Sequence, residues 1–97
     1  MRIIAKRTLR AYWEAEPRAE GALRAWHAVA AKADWASPAD VKEAYGNASI
    51  VGGSRVVFNI GGNRYRLVVR FDYVHRIGFV RFVGTHAEYD AIDASAV

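Results

Sequence analysis

Cysteine is absent from this 97-residue chain, and proline (two) and lysine (three) are scarce. Without Cys there is no disulfide framework and no thiolate-ligated zinc, a composition that fits a reducing compartment. No apolar run approaches the roughly 20 residues a membrane helix needs, and the basic N-terminus lacks the apolar stretch of a secretory signal. The expectation is a cytoplasmic protein with no membrane partner. The three histidines, His27, His75 and His86, have no ligand spacing with one another, which argues against a zinc site. Gly61-Gly62 lacks the third glycine and the following helix of a dinucleotide-binding fingerprint.

What is present is enough for one core. A chain of this length allows a single domain over residues 1–97, and 53% of it is hydrophobic, with three Trp, five Tyr and four Phe. The net charge of +4 is modest but unevenly spread. Six arginines (Arg55, Arg64, Arg66, Arg70, Arg76 and Arg81) face a single acid, Asp72, between positions 55 and 81, with no lysine among them. Guanidinium offers a planar fork of donors that matches phosphate oxygens and stacks on bases, so the cluster favours a phosphate-bearing partner. A solvated sheet face explains the same charge equally well.

Periodicity organises the chain into helices followed by strands. Arg2-Ile3-Ile4-Ala5 is compatible with a short strand or a helix lead-in. Leu9, Tyr12 and Trp13 recur at helical spacing, and Pro17 interrupts and can restart a helix as its first residue. The second helix is expected from about Arg18 to Lys32, with Ala22, Leu23, Trp26, Val29, Ala30 and Ala33 as its core-facing stripe. His27 within it reads as a partly buried structural residue or a neighbour of Glu20 or Arg24. Ser37-Pro38-Ala39-Asp40 signals a third start, with a short helix to about Tyr45. From Asn47 the period becomes two, and turn signals at Gly52-Gly53-Ser54, Gly61-Gly62-Asn63 and Asp72 to His75 separate four strands: roughly Ala48–Val51, Arg55–Ile60, Arg64–Phe71 and Arg76–Gly84. Thr85 and Glu88 then form a capping box for a short last helix. The predicted class is α+β: two to three N-terminal helices on one face of a mainly antiparallel sheet of four to five strands, with a short C-terminal helix, leaving the other face or one end free for a ligand.

Strand parity assigns Tyr65, Leu67, Val69 and Phe71 to the core and Arg64, Arg66, Val68 and Arg70 to the opposite face. Three arginines so close repel unless they meet water or anions, so that face suits a polyanion; pairing with acids on the helices or tail is the structural alternative. His86 and Tyr89, three apart on a helix leaving an arginine-bearing strand, share one side of it, so imidazole, phenol and guanidinium can converge.

These residues resemble the HigB family of type II toxin-antitoxin systems, within the RelE-like group of messenger-RNA interferases. The likeness is carried by Val56-Val57-Phe58-Asn59-Ile60-Gly61-Gly62-Asn63 running into Tyr65-Arg66-Leu67, and by Val80-Arg81-Phe82-Val83 leading into Thr85-His86 and Glu88-Tyr89-Asp90. Looser matches are Leu9, Trp13, Trp26, Trp35, Ser37-Pro38 and Asp40-Val41-Lys42. Ala87 stands where the final motif of the family carries lysine, removing one phosphate contact.

The resemblance implies a RelE-like fold and cleavage of RNA by its own 2′-hydroxyl, giving a cyclic phosphate and a free hydroxyl end, with no metal or other cofactor. Such a reaction needs a base, a cation for the charged phosphorane and an acid for the leaving oxygen. Arg66 and Arg81 are the candidates for phosphorane stabilisation, and His86 for acid-base transfer because imidazole titrates nearest neutrality. Tyr89 is their expected partner, whether by positioning the phosphate, stacking on a base or assisting proton transfer. Arg55, Asn63, Arg64, Arg70 and Arg76 are candidate RNA contacts; Asn63 is expected chiefly to serve the hairpin turn in a left-handed conformation. The implied partners are mRNA and a HigA-like helix-turn-helix antitoxin, with the ribosome a further candidate because relatives cut both with and without it. The rival reading is a non-catalytic RNA-binding module stacking bases on Tyr65, Tyr73 or Phe82. A purely structural interaction domain with internally paired arginines is the third.

Overall fold

Capping chemistry sets the helix starts. In the computed structural model, which covers residues 1–97, Ser37 Oγ accepts from the Asp40 backbone N–H and Pro38 occupies the first position of the helix that follows. Thr85 and Glu88 complete the expected reciprocal capping box. Pro17 opens a single 3₁₀ turn, Pro17–Ala19, that leads into the second helix. The chain order is β1 (Arg2–Ile4), α1 (Lys6–Ala15), the 3₁₀ turn, α2 (Glu20–Lys32), α3 (Pro38–Ala44), β2 (Ser49–Val51), β3 (Arg55–Ile60), β4 (Tyr65–Asp72), β5 (Ile77–Thr85) and α4 (His86–Asp90).

The five strands form one sheet in the order β1-β5-β4-β3-β2, and the fold is α+β. The meander β2 to β5 is antiparallel, whereas β1 runs parallel to β5, Ile3 opposite Gly78. Gly78 permits that approach, since a β-carbon there would lie 3.0 Å from the Phe71 ring and 3.2 Å from Ile3 Cδ1. The three residues of Arg2–Ile4 thus become a strand through a partner more than seventy positions away, which no local pattern announces.

Leu9 and Trp13 of α1, Leu23, Trp26 and Ala30 of α2 and Val41 of α3 bury against Val56, Phe58, Ile60, Tyr65, Leu67, Val69 and Phe71 of the sheet. Val29 departs from the expected stripe: it sits on the flank of α2 and is 49% exposed. His27 is half-buried as expected, but the charge that acts on it is Lys6; burial first and that cation second lower its pKa. Phe58, 1% exposed, is the hub of the core, with ring centroids 5.2 Å from Trp26, 5.3 Å from Tyr45 and 6.2 Å from Phe71. Phe58→Ala is expected to cost about 3–5 kcal/mol, read as a drop in the urea midpoint at unchanged slope.

Of the two expected openings, the whole opposite face or one end of it, the structure leaves an end. The centre of that face is covered, because α4 and the tail after it fold back so that Ala94 packs on Val57 and Val68, flanked by Val51, Phe82, Tyr89 and Val97. Val68 is completely buried there. The end of that face where β3 leaves, β4 enters and β5 passes into α4 gathers Arg66 with the exposed Arg64 and His86.

Candidate active site

Register defines this end. Arg66 lies between Asn59 on β3 and Gly84 on β5, and Tyr65 lies opposite Thr85. Directly opposed residues share a face, so Asn59 and Arg66 project together on the side away from the helices. Thr85 then passes the chain into α4, and the His86 backbone N–H donates to the Arg64 carbonyl at 3.0 Å, fixing the start of that helix to the start of β4.

Arg66 is the one charged residue counted among the buried, at 8% exposure. Its Nη1 donates to the carbonyls of Tyr65 (3.1 Å) and Asn63 (3.3 Å), and no carboxylate lies within ion-pair distance. Its Nε and Nη2 have no protein partner yet are not fully enclosed. A cation so placed carries a desolvation cost that its two carbonyl acceptors offset in part and an incoming anion would offset further. Two backbone carbonyls hold one arm of the fork while the other nitrogens keep some exposure, an arrangement that can receive an anion.

Arg81 is exposed and is the extra residue of a β-bulge: Val68 pairs with Phe82 and Val69 with Val80, leaving Arg81 unopposed. The bulge turns Val80 toward the main core and Phe82 toward the Val57–Val68–Ala94 cluster. It therefore carries Arg81 at the level of Val68 and Val69, about 8 Å along β4 from Arg66.

On α4, His86 Nδ1 lies 3.0 Å from Asp90 Oδ2. An ionised carboxylate only accepts, so Nδ1 carries a proton toward it, and in the neutral ring Nε2 is then the acceptor. Asp90 is the site residue that the sequence reading missed, although its place four residues after His86 on a helix was the signal that could have found it. Tyr89 is half-buried with its ring 6.5 Å from that of Phe82, so the hydrophobic cluster under α4 seats the phenol at the same end. Nearby, burial first and the Glu88 charge second raise the pKa of Tyr12. The hydrogen bond from Arg18 lowers that of Glu16, to which Arg64 adds a smaller attraction.

The remaining candidates divide. Arg64 is exposed at the site end. Asn63 is there too, but the left-handed backbone of the turn falls on Gly61 (φ 62°) and Gly62 (φ 70°), and Asn63 contributes its carbonyl to Arg66 instead. Two glycines adopt that conformation without side-chain strain, so the asparagine is not needed for it. Arg55, Arg70 and Arg76 are not brought to the site. Arg55 and Arg70 oppose each other directly and turn apart: Arg55 Nε donates to the Val97 carbonyl at 2.7 Å, and Arg70 lies 4.6 Å from the Phe79 ring centroid. Arg76 sits in the β4–β5 turn, about 23 Å from the site by strand length, paired with Asp34 at 2.6 Å. Internal ion pairing therefore accounts for one of the six arginines. Of the three aromatics of the RNA-binding module, Tyr65 is buried in the main core, while Tyr73, stacked on Phe71, and Phe82, in the smaller cluster, are half-buried.

Gly84 is a structural requirement of this arrangement. A β-carbon there would stand 2.7 Å from Phe82 Cζ and 3.0 Å from Glu88 Oε1, one in the cluster under α4 and the other in its capping box. Gly84→Ala is expected to cost about 1–3 kcal/mol in urea denaturation, as overpacking does, and to shift α4, which a changed Tyr89 ring resonance in NMR spectra would report.

An α+β fold with helices on one face of a five-stranded mixed sheet and a short C-terminal helix has the form of a RelE-like toxin. A family model for HigB toxins, described as the RelE-like toxic component of a toxin-antitoxin system, matches residues 19–92, and the chain belongs to that family. It is also 27% identical over 94 residues, 95% of this chain and 91% of the relative, to the mRNA interferase HigB of Escherichia coli O6:H1 strain CFT073. No helix is long and apolar enough to cross a membrane.

Proposed function

We propose that this protein is an endoribonuclease that cuts messenger RNA through attack of the substrate's own 2′-hydroxyl, with Arg66, Arg81, His86 and Tyr89 as the working groups. The observation that carries the reading is Arg66: a buried cation without an acid partner, one strand from the residue that leads into the His86–Asp90 pair. Its free nitrogens suit the equatorial oxygens of a phosphorane, whose extra negative charge exists only in the transition state. Arg81, exposed on its bulge, suits the same charge or the flanking phosphate.

His86 acts as the proton carrier. With Nδ1 held by Asp90, Nε2 takes the 2′-hydroxyl proton, the 2′-oxygen forms a bond to phosphorus, and the bond to the 5′-oxygen breaks as that oxygen takes a proton from solvent water, the imidazolium later returning its own proton to solvent. The products are a 2′,3′-cyclic phosphate and a 5′-hydroxyl. Tyr89 orients the phosphate or the neighbouring base from the same helix. Because the nucleophile belongs to RNA, the protein supplies orientation, charge and proton transfer alone. As the toxic component of a toxin-antitoxin pair, the protein has a cognate antitoxin of the HigA-like, helix-turn-helix kind as its partner. The ribosome serves as a second partner if orientation is borrowed from it.

Induced expression in bacteria tests the reading, with primer extension on a reporter message. Wild type is expected to arrest growth and create new RNA ends, both lost in His86→Ala expressed at equal level. Arrest without new ends would overturn the ribonuclease reading.

A further inference from the structure

Three successive carbonyls at the start of β4 hold both halves of the site. Those of Asn63 and Tyr65 accept from Arg66 Nη1 at 3.3 and 3.1 Å, and that of Arg64, between them, accepts from the His86 backbone N–H at 3.0 Å. The guanidinium and the helix that carries the imidazole are thus mounted on one short stretch of chain. That stretch ends the loop from Gly61 to Arg64 that joins β3 to β4, where the Arg64 N–H reaches back to the Gly61 carbonyl at 3.5 Å.

The direction of these carbonyls is set by the backbone just before them. Gly61 (φ 62°) and Gly62 (φ 70°) both lie in the left-handed region, which strains a residue with a side chain and leaves glycine free. Their surroundings differ. A β-carbon at Gly61 would stand 3.2 Å from the Tyr65 ring, so a side chain there also disturbs the core. At the exposed Gly62 a β-carbon would meet nothing within 4 Å. A substitution at Gly62 therefore adds no clash and acts through the backbone alone. Its effect follows how well the new residue accepts a positive φ: asparagine does so readily, alanine at a cost, and β-branched valine worst. A turn driven out of that region swings the Asn63 carbonyl first and the Arg64 carbonyl next. Arg66 then loses one of its two anchors, and the start of α4 loses its tie to β4.

We propose that Gly62 is a positioning residue, whose left-handed backbone aims the Asn63 and Arg64 carbonyls and through them sets Arg66 against His86. The inference rests on the ribonuclease reading, so its test follows structure as well as rate. Gly62→Asn, Gly62→Ala and Gly62→Val, each checked by circular dichroism, are compared in single-turnover cleavage of a mapped message in a translation extract. NMR follows the exchange of the His86 amide and the Arg66 η-nitrogen resonances in the same proteins. Gly62→Asn cuts at close to the wild-type rate, Gly62→Val roughly 10- to 100-fold more slowly, the scale of a misplacement of about 1 Å, and Gly62→Ala falls between. In Gly62→Val the His86 amide loses protection and the Arg66 η resonances, distinct while Nη1 is held, merge, whereas the amide of the buried Val69 stays protected. Should Gly62→Val not fold, Gly62→Ala carries the same comparison against Gly62→Asn. Wild-type cleavage in Gly62→Val, equal losses in Gly62→Asn and Gly62→Val, or a loss with the His86 and Arg66 signals unmoved overturns the positioning role. Absence of cleavage by the wild type refutes the ribonuclease reading instead. The positioning role is then decided by the two NMR signals, supported if they move in Gly62→Val and not in Gly62→Asn, and overturned if they do not.

Discussion

Arg66→Ala lowers the rate of mRNA cleavage about 10²–10³-fold at saturating substrate, a loss of roughly 3–4 kcal/mol of transition-state stabilisation. The size follows from position. A surface arginine contributes little because water competes with its charge, whereas Arg66 is 8% exposed, anchored by two carbonyls and free of any carboxylate. The same features predict a second, opposite effect. Removing a buried cation that lacks an acid partner relieves desolvation, so stability falls less than for truncation of a buried side chain such as Phe58. Arg66→Lys should recover little, since a point charge on a flexible stem cannot keep carbonyl anchors and still offer a fork to phosphate. Single-turnover rates and urea denaturation on the same preparations check both halves; parallel losses of rate and stability would reduce Arg66 to a structural residue.

His86→Ala lowers cleavage about 10²–10⁴-fold, the span of general acid-base catalysis. Asp90→Asn has a smaller effect, about tenfold, because it leaves the imidazole present but removes the carboxylate that fixes its Nδ1 proton. His75 is the internal control. It makes an equivalent pair, Nδ1 2.8 Å from Asp72 Oδ2, at the far end of the same two strands. His75→Ala is therefore expected to leave cleavage unchanged. Rates of the three variants in one translation extract decide the matter, and equal losses for His75→Ala and His86→Ala would contradict the assignment.

The helices, the four-strand meander and the capping residues were legible in the sequence because their signals are local: Pro38 after Ser37, Thr85 three residues before Glu88, glycines between alternating strands. What escaped depends on partners distant in the chain. Arg2–Ile4 becomes a strand only beside Gly78. Arg81 is placed only by the register with Val68 and Val69, which exposes the bulge and puts Val80 and Phe82 on opposite faces. The tail around Ala94 has too weak an apolar pattern to announce that it covers Val57 and Val68, and that covering converts an open arginine face into a site at one end. Charge density likewise identified six arginines without distinguishing them. The distinction lies in burial and in who answers the charge: a chain carbonyl for Arg55, a ring for Arg70, Asp34 for Arg76, and for Arg66 no acid at all.

The central claim, attack by the substrate's own hydroxyl with protein side chains as the catalysts, is tested most directly by replacing a single 2′-hydroxyl. A message carrying one 2′-deoxynucleotide immediately 5′ of the mapped cut is incubated with the protein in a translation extract. Loss of cleavage at that site, with neighbouring sites still cut and 5′-hydroxyl ends on the products, is the predicted result. Continued cleavage at the deoxy position, leaving a 5′-phosphate, would contradict it.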